Sequence, residues 1–98
     1  MSESIIDKDM PDVCYICNKR RETEVHHIFG GPDRKFSEKD GLTVHLCRPC
    51  HIMVHSNFEG MMDGLHKIGE QCFVDYYYGG DMEKGMEAFR HRYRKNYL

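Results

Sequence analysis

No apolar run in this sequence approaches the roughly 20 residues that a helix needs to cross a bilayer, so its 98 residues are not expected to meet a membrane. Residues 1–11 are acidic and lack the apolar core of a secretory signal, and the expected compartment is the cytoplasm. An excess of positive charge is also missing. The 14 Lys and Arg against 16 Asp and Glu leave a net charge of −2, which argues mildly against a protein that coats nucleic acid. The charge is uneven, however: Asp7, Asp9 and Asp12 crowd the start, and Arg90, Arg92, Arg94 and Lys95 crowd the end. A local basic face can still meet phosphate. Tryptophan is absent, and so are internal repeats and low-complexity tracts. The length suits one domain and not two. A content of 40% hydrophobic and 31% charged residues suits a globular chain rather than a disordered tail.

Against these absences stand five cysteines and seven histidines. Nothing marks the chain as secreted, so this density of sulfur and imidazole points to metal before disulfides. Cys14 and Cys17 form one CxxC knuckle, and Cys47 and Cys50 form another. Each knuckle turns two thiolates to one side of a metal, and two knuckles close a tetrahedral shell. A structural zinc is therefore expected on Cys14, Cys17, Cys47 and Cys50. The unit it staples, residues 13–57, is too short and too polar to hold itself together by burial alone. Cys72 lies on a helical apolar stripe and reads as a small buried hydrophobe.

Residues 1–12 read as a flexible acidic arm. Residues 13–57 form the zinc-rich core, and 58–98 a helical extension of the same domain. Residues 23–29 (TEVHHIF) read as a strand stopped at Gly30-Gly31-Pro32, and 42–46 (LTVHL) as a second strand. The stretch 30–41 between them reads as a polar loop carrying Arg34, Lys35 and Lys39. A short helix is expected from Pro49 to His55. Met61, Leu65, Ile68, Cys72 and Tyr76 follow the helical period, and Met82, Met86, Phe89, Tyr93 and Tyr97 repeat it. Gly79-Gly80 separates these two helices, and Asp81 can cap the second. The fold class is thus α+β: a small zinc-stapled domain with two C-terminal helices.

Four histidines lie near the staple. His26 and His27 end the first strand, while His51 and His55, four residues apart, share one helical face. That spacing suits two imidazoles on one metal. Neighbouring residues of a regular strand face opposite ways, so His26 and His27 share a site only if the chain kinks between them. His45, His66 and His91 lack a partner at ligand spacing and read as ordinary surface or core histidines. Arg34 and Lys35 follow the pair and read equally as phosphate contacts or as solvated charges. The cations at 90–95 complement a helix dipole.

The order Cys14-x2-Cys17, Glu24-Val25-His26-His27-Ile28, Leu46-Cys47-x2-Cys50-His51 and His55 resembles the HNH endonucleases, and the string His26 to Pro32 with Arg34-Lys35 and Ser37-Glu38-Lys39 is similar to small HNH proteins of phages and prophages. The resemblance covers residues 13–98. It implies a ββα-metal (treble-clef-like) core acting as a DNA endonuclease or nickase that leaves 5′-phosphate and 3′-hydroxyl ends. It implies His27 as general base, with its role exchangeable with that of His26. It also implies His26, His51 and His55 as ligands of one divalent catalytic metal (magnesium, manganese, nickel or zinc). The place of Arg34, after the histidine pair, suits a transition-state contact. A phage or prophage origin would put the protein in the cytoplasm of a bacterial host, with DNA-packaging proteins as further partners. The family's middle Asn is replaced by Leu42, for which Asp40 or the backbone around Gly41 could substitute. The alternative function is a non-catalytic zinc module that binds nucleic acid or protein, which the four cysteines alone would satisfy.

Overall fold

A computed structural model describes residues 3–7 and 10–98. Asp9, one of the acidic residues of the expected arm, lies outside the described residues. Among those described, two antiparallel strands and four helices form a small α+β unit, and no helix is long and apolar enough to cross a membrane.

Strand β1 (Glu24–His27) pairs with β2 (Thr43–Leu46), with Glu24 opposite Leu46 and His26 opposite Val44. Residues paired across a ladder share a face. One face therefore carries Glu24, His26, Val44 and Leu46 toward helix α2 (Arg48–His55). The other carries Val25, His27, Thr43 and His45.

The stretch between the strands is not a loop. After a 3-10 turn at Gly31–Asp33 it forms helix α1 (Arg34–Asp40). Ser37 and Asp40 are buried on its inner side and Phe36 packs against the core, so a helical face hides in a polar segment. Gly41 ends α1 at φ 76, where a Cβ would lie 2.6 Å from the Glu3 carbonyl. Only glycine fits both the left-handed turn and that approach.

The segment 3–7, expected as part of a loose arm, is attached along the free edge of β2. Ile5 N–H donates to the Gly41 carbonyl at 2.9 Å, and the Ser4 hydroxyl donates to the Thr43 carbonyl at 2.5 Å. The Asp7 carboxylate accepts from His45 N–H at 2.6 Å. An unpaired strand edge needs such cover.

Helix α3 (Met61–Tyr78) and helix α4 (Met82–Tyr93) form the second half, and the Asp81 side chain caps α4 by accepting from Lys84 N–H. The buried stripe of α3 is not the expected one. Ile68 and Tyr76 are 37% and 60% exposed, and the inner face is Leu65, Gly69, Glu70, Phe73 and Val74. Gly69 is inside because a Cβ there would meet Ile28 at 2.8 Å and Phe29 at 3.0 Å. Glu70 is fully buried because its carboxylate accepts from Asn96 Nδ2, Tyr97 N–H and Leu98 N–H. Tyr97 lies beyond the end of α4 rather than on it.

The two halves share one core. Phe29, two residues after the histidine pair, touches the rings of His66, Phe89, Tyr93 and Tyr97 at centroid distances of 4.8 to 5.3 Å. The Asp40 carboxylate accepts from Arg92 Nε and Tyr93 OH, both at 2.6 Å, which fastens α1 to α4.

Candidate metal centres and the cleft beside them

The first knuckle is a short hairpin. Val13 bridges to Arg20, Cys14 N–H donates to the Lys19 carbonyl, and Asn18 turns the chain at φ 60. Tyr15 N–H donates to the His45 carbonyl at 2.8 Å, which moors the knuckle to β2. The second knuckle opens α2: Cys47 is its N-cap, Pro49 sits in the first turn and Cys50 follows. The four sulfurs lie within 4.8 Å of one another, and Cys17 and Cys47 are 3.8 Å apart. A tetrahedral zinc with about 2.3 Å bonds needs sulfur edges of about 3.8 Å, so the four thiols can bind a structural metal such as zinc. Burial raises the Cys47 thiol, but Cys50 N–H and the Arg21 guanidinium outweigh it and bring it down to about 6. That favours the thiolate at Cys47, the form that binds metal, whereas burial and the neighbouring thiols push Cys50 up.

One turn further along α2 is a second cluster. His26, His51 and His55 each bring one nitrogen within 4.8 Å of the others. The His26 ring lies 5.2 Å from His51 and 5.4 Å from His55, edge to face with both. His51 Nε2 and His55 Nε2 are 3.0 Å apart, while His51 Nδ1 meets Glu24 Oε1 at 2.9 Å. Glu24 also accepts from Arg48 at 3.2 Å. The His51 contact, helped by Arg48 and opposed by partial burial, lowers the Glu24 carboxyl below its ordinary value. His26 is 4% exposed, and its Nε2 has no hydrogen-bond partner among the described residues. Burial, with the neighbouring His51 and His55, lowers its pKa to about 4. It is therefore neutral near pH 7. Three imidazoles, one with an orphaned buried nitrogen, are a chemically suitable donor set for a divalent ion.

The kink that would bring His26 and His27 into one site is not found. The ladder runs unbroken through both residues, and the chain bends only afterwards, at Ile28 and Phe29. His27 therefore faces α1 rather than α2. Its Nε2 meets Glu38 Oε1 at 3.0 Å. It opens on a cleft of about 440 Å³ lined by Gly31, Pro32, Arg34, Lys35 and Glu38. Arg34 and Lys35 are exposed there, on the first turn of α1 instead of a loop.

Leu42, at the position expected to carry Asn, is a core residue with no exposed surface. Its carbonyl accepts from Ile28 N–H at 3.0 Å and from Ser37 Oγ at 2.6 Å. Ser37 Oγ also accepts from Phe29 N–H at 3.2 Å. Ser37 thus ties the end of β1 to the start of β2, a task Asp40 does not perform because its carboxylate is engaged with α4. The basic residues near the C-terminus are partly absorbed in the same way, Arg92 on Asp40 and Arg94 on Asp33 at 3.4 Å. Of the other histidines, His45 meets Asp7, His66 stacks on Phe29 and His91 faces Glu87.

Glu24, Ser37 and Glu38 are the polar residues to which sequence reasoning assigned no role. Glu24 was within reach, because it lies two residues before His26 on the same strand face. Ser37 and Glu38 are not, because the polar stretch 30–41 carries no apolar period that would signal a helix. No family model matches this chain, and neither the curated proteins nor the solved structures offer a match.

Proposed function

We propose that this chain is a metal-dependent endonuclease or nickase of the HNH type, with a ββα-metal core made of β1, β2 and α2, that hydrolyses DNA phosphodiester bonds. The observation that carries the reading is the buried Nε2 of His26, which has no hydrogen-bond partner among the described residues, in a ring packed edge to face against His51 and His55. A buried polar atom left unsatisfied costs about 1–3 kcal/mol, and a metal ion removes that cost. His26, His51 and His55 would hold one divalent ion, which supplies positive charge at the scissile phosphate and the leaving oxygen. The chain's own groups do the rest. His27 lies on the other side of β1 from that set, so one phosphodiester would have to span the strand end, with the ion on one side and His27 taking a proton from water on the other, the task an imidazole performs near pH 7. Arg34 and Lys35 hold phosphate oxygens from the cleft wall, Arg34 through paired donors. The zinc on the four cysteines holds the start of α2 and so the height of His51 and His55. The products would carry 5′-phosphate and 3′-hydroxyl ends. DNA-packaging proteins of a phage remain the partner class that the family resemblance proposes.

The test is nicking of supercoiled plasmid by zinc-loaded wild type and His27→Ala, with magnesium, manganese or nickel added in turn. Wild type should nick, and the variant should lose at least about a hundredfold in rate with its zinc content unchanged. Plasmid bound but cut by neither would replace this reading with a non-catalytic zinc module, a role for which the cysteine cluster suffices.

A further inference from the structure

The cleft beside His27 holds one acid among its cations. Glu38 lies one helical turn after Arg34 on α1, and its Oε1 is 3.0 Å from His27 Nε2. An ionised carboxylate only accepts hydrogen bonds, so a neutral His27 ring bonded to one through Nε2 would carry its proton there and keep its lone pair on Nδ1. The His27 side chain is 12% exposed and that of Glu38 36%, so the imidazole is largely enclosed while the carboxylate borders the cleft. A purely structural role for the pair would be to fasten α1 to the end of β1. Ser37, next to Glu38, already does this through Leu42 and Phe29. The contact is therefore spare as a fastening and specific as an orientation.

We infer that Glu38 is the positioning residue of His27, holding its ring by Nε2–H so that Nδ1 is the atom that takes the proton from water. The inference rests on the proposed role of His27 as base. In the step, a water O–H bond breaks and its proton goes to Nδ1. The water oxygen bonds to phosphorus, the bond from phosphorus to the 3′ oxygen breaks, and that oxygen leaves and takes a proton from solvent. The imidazolium so formed faces the Glu38 carboxylate, as a carboxylate behind a catalytic histidine does in hydrolytic triads.

Two measurements on the full zinc-loaded chain test this. The first is the long-range proton–nitrogen NMR spectrum of the His27 ring at mildly alkaline pH, in wild type, Glu38→Gln and Glu38→Ala. Wild type should show a proton on Nε2 protected from solvent exchange and none on Nδ1. Glu38→Gln, which keeps an acceptor oxygen, should retain the protected signal, and Glu38→Ala should lose the protection. A proton on Nδ1 in wild type, or unchanged protection in Glu38→Ala, overturns the inference whether or not the protein cuts DNA. The second is a double-mutant cycle on plasmid nicking. Glu38→Ala should lower kcat by about tenfold or more with KM unchanged, and should add nothing in a His27→Ala background. Multiplying effects would mean that Glu38 does not act through His27. A His27→Ala variant as fast as wild type would instead defeat the reading of His27 as base.

Discussion

The cysteine cluster and the histidine cluster share helix α2, one at its first turn and the other along the same stretch. The first is closed: Cys14, Cys47 and Cys50 are buried, and the four sulfurs form a set of tetrahedral size. The second is graded, with His26 buried, His51 half-buried and His55 exposed. Four protein ligands leave a metal no room for anything else, whereas three leave a position for water or substrate. A metal on the cysteines would join the first knuckle to the start of α2. The histidines stand where the fold puts them, His26 on β1 and His51 and His55 on α2. Loss of the first cluster should therefore remove the second, and loss of the second should spare the first.

The largest effect should come from Cys47→Ser or from a strong chelator. Structural zinc supplies about 10–16 kcal/mol of apparent binding free energy in small units, so cooperative melting followed by circular dichroism should disappear. A melt unchanged by full chelation would show that the thiols are not the staple. Next, His26→Ala should abolish uptake of a second divalent ion in titration calorimetry while the chain keeps one zinc and melts near the wild-type temperature. Loss of both ions together would erase the distinction between the clusters.

A smaller and more selective effect is expected at Gly69→Ala. The added methyl would press Ile28 and Phe29, the residues that follow the histidine pair, at 2.8 and 3.0 Å. Overpacking of this kind costs about 1–3 kcal/mol. The melting temperature should fall, and affinity for the second ion should weaken while zinc on the cysteines is retained. Equal affinity for the second ion would mean that β1 is held without the helical half. The smallest effect concerns His66, stacked on Phe29 and tilted against Tyr97, whose pKa burial lowers from its ordinary value. A folded-state pKa below the unfolded one means that the unfolded chain binds the extra proton first. Its contribution is then complete above the ordinary histidine value and is lost as pH falls through the folded one. His66→Gln should melt with a weaker dependence on pH across that mildly acidic window, by differential scanning calorimetry. The same slope in both proteins would place the acid sensitivity elsewhere.

Spacing alone was enough to read the thiol set, the i,i+4 pair on α2, the two strands and the break at Gly79-Gly80, because each is set by contacts within a few residues. The α+β class followed from them. Three features were not legible for a common reason. Helix α1 is short, with polar residues at buried positions, so Ser37 and Asp40 are hidden by partners distant in sequence rather than by apolar periodicity. The stripe of α3 is hidden from apolar periodicity because a glycine and a glutamate occupy its inner face, one allowing Phe29 to approach and the other receiving the chain end. The segment 3–7 gave no signal because what orders it is the unpaired edge of β2.

By itself, then, the sequence determined which atoms could bind metal and in what local pairs, since ligand type and spacing are properties of short stretches. How those pairs combine depends on packing between distant segments. The alternation of an unbroken strand sends His26 to α2 and His27 to α1, and so separates the ion-binding set from the histidine in the cleft. It is packing from the far half of the chain, through Gly69 and Phe29, that holds the strand end where this happens.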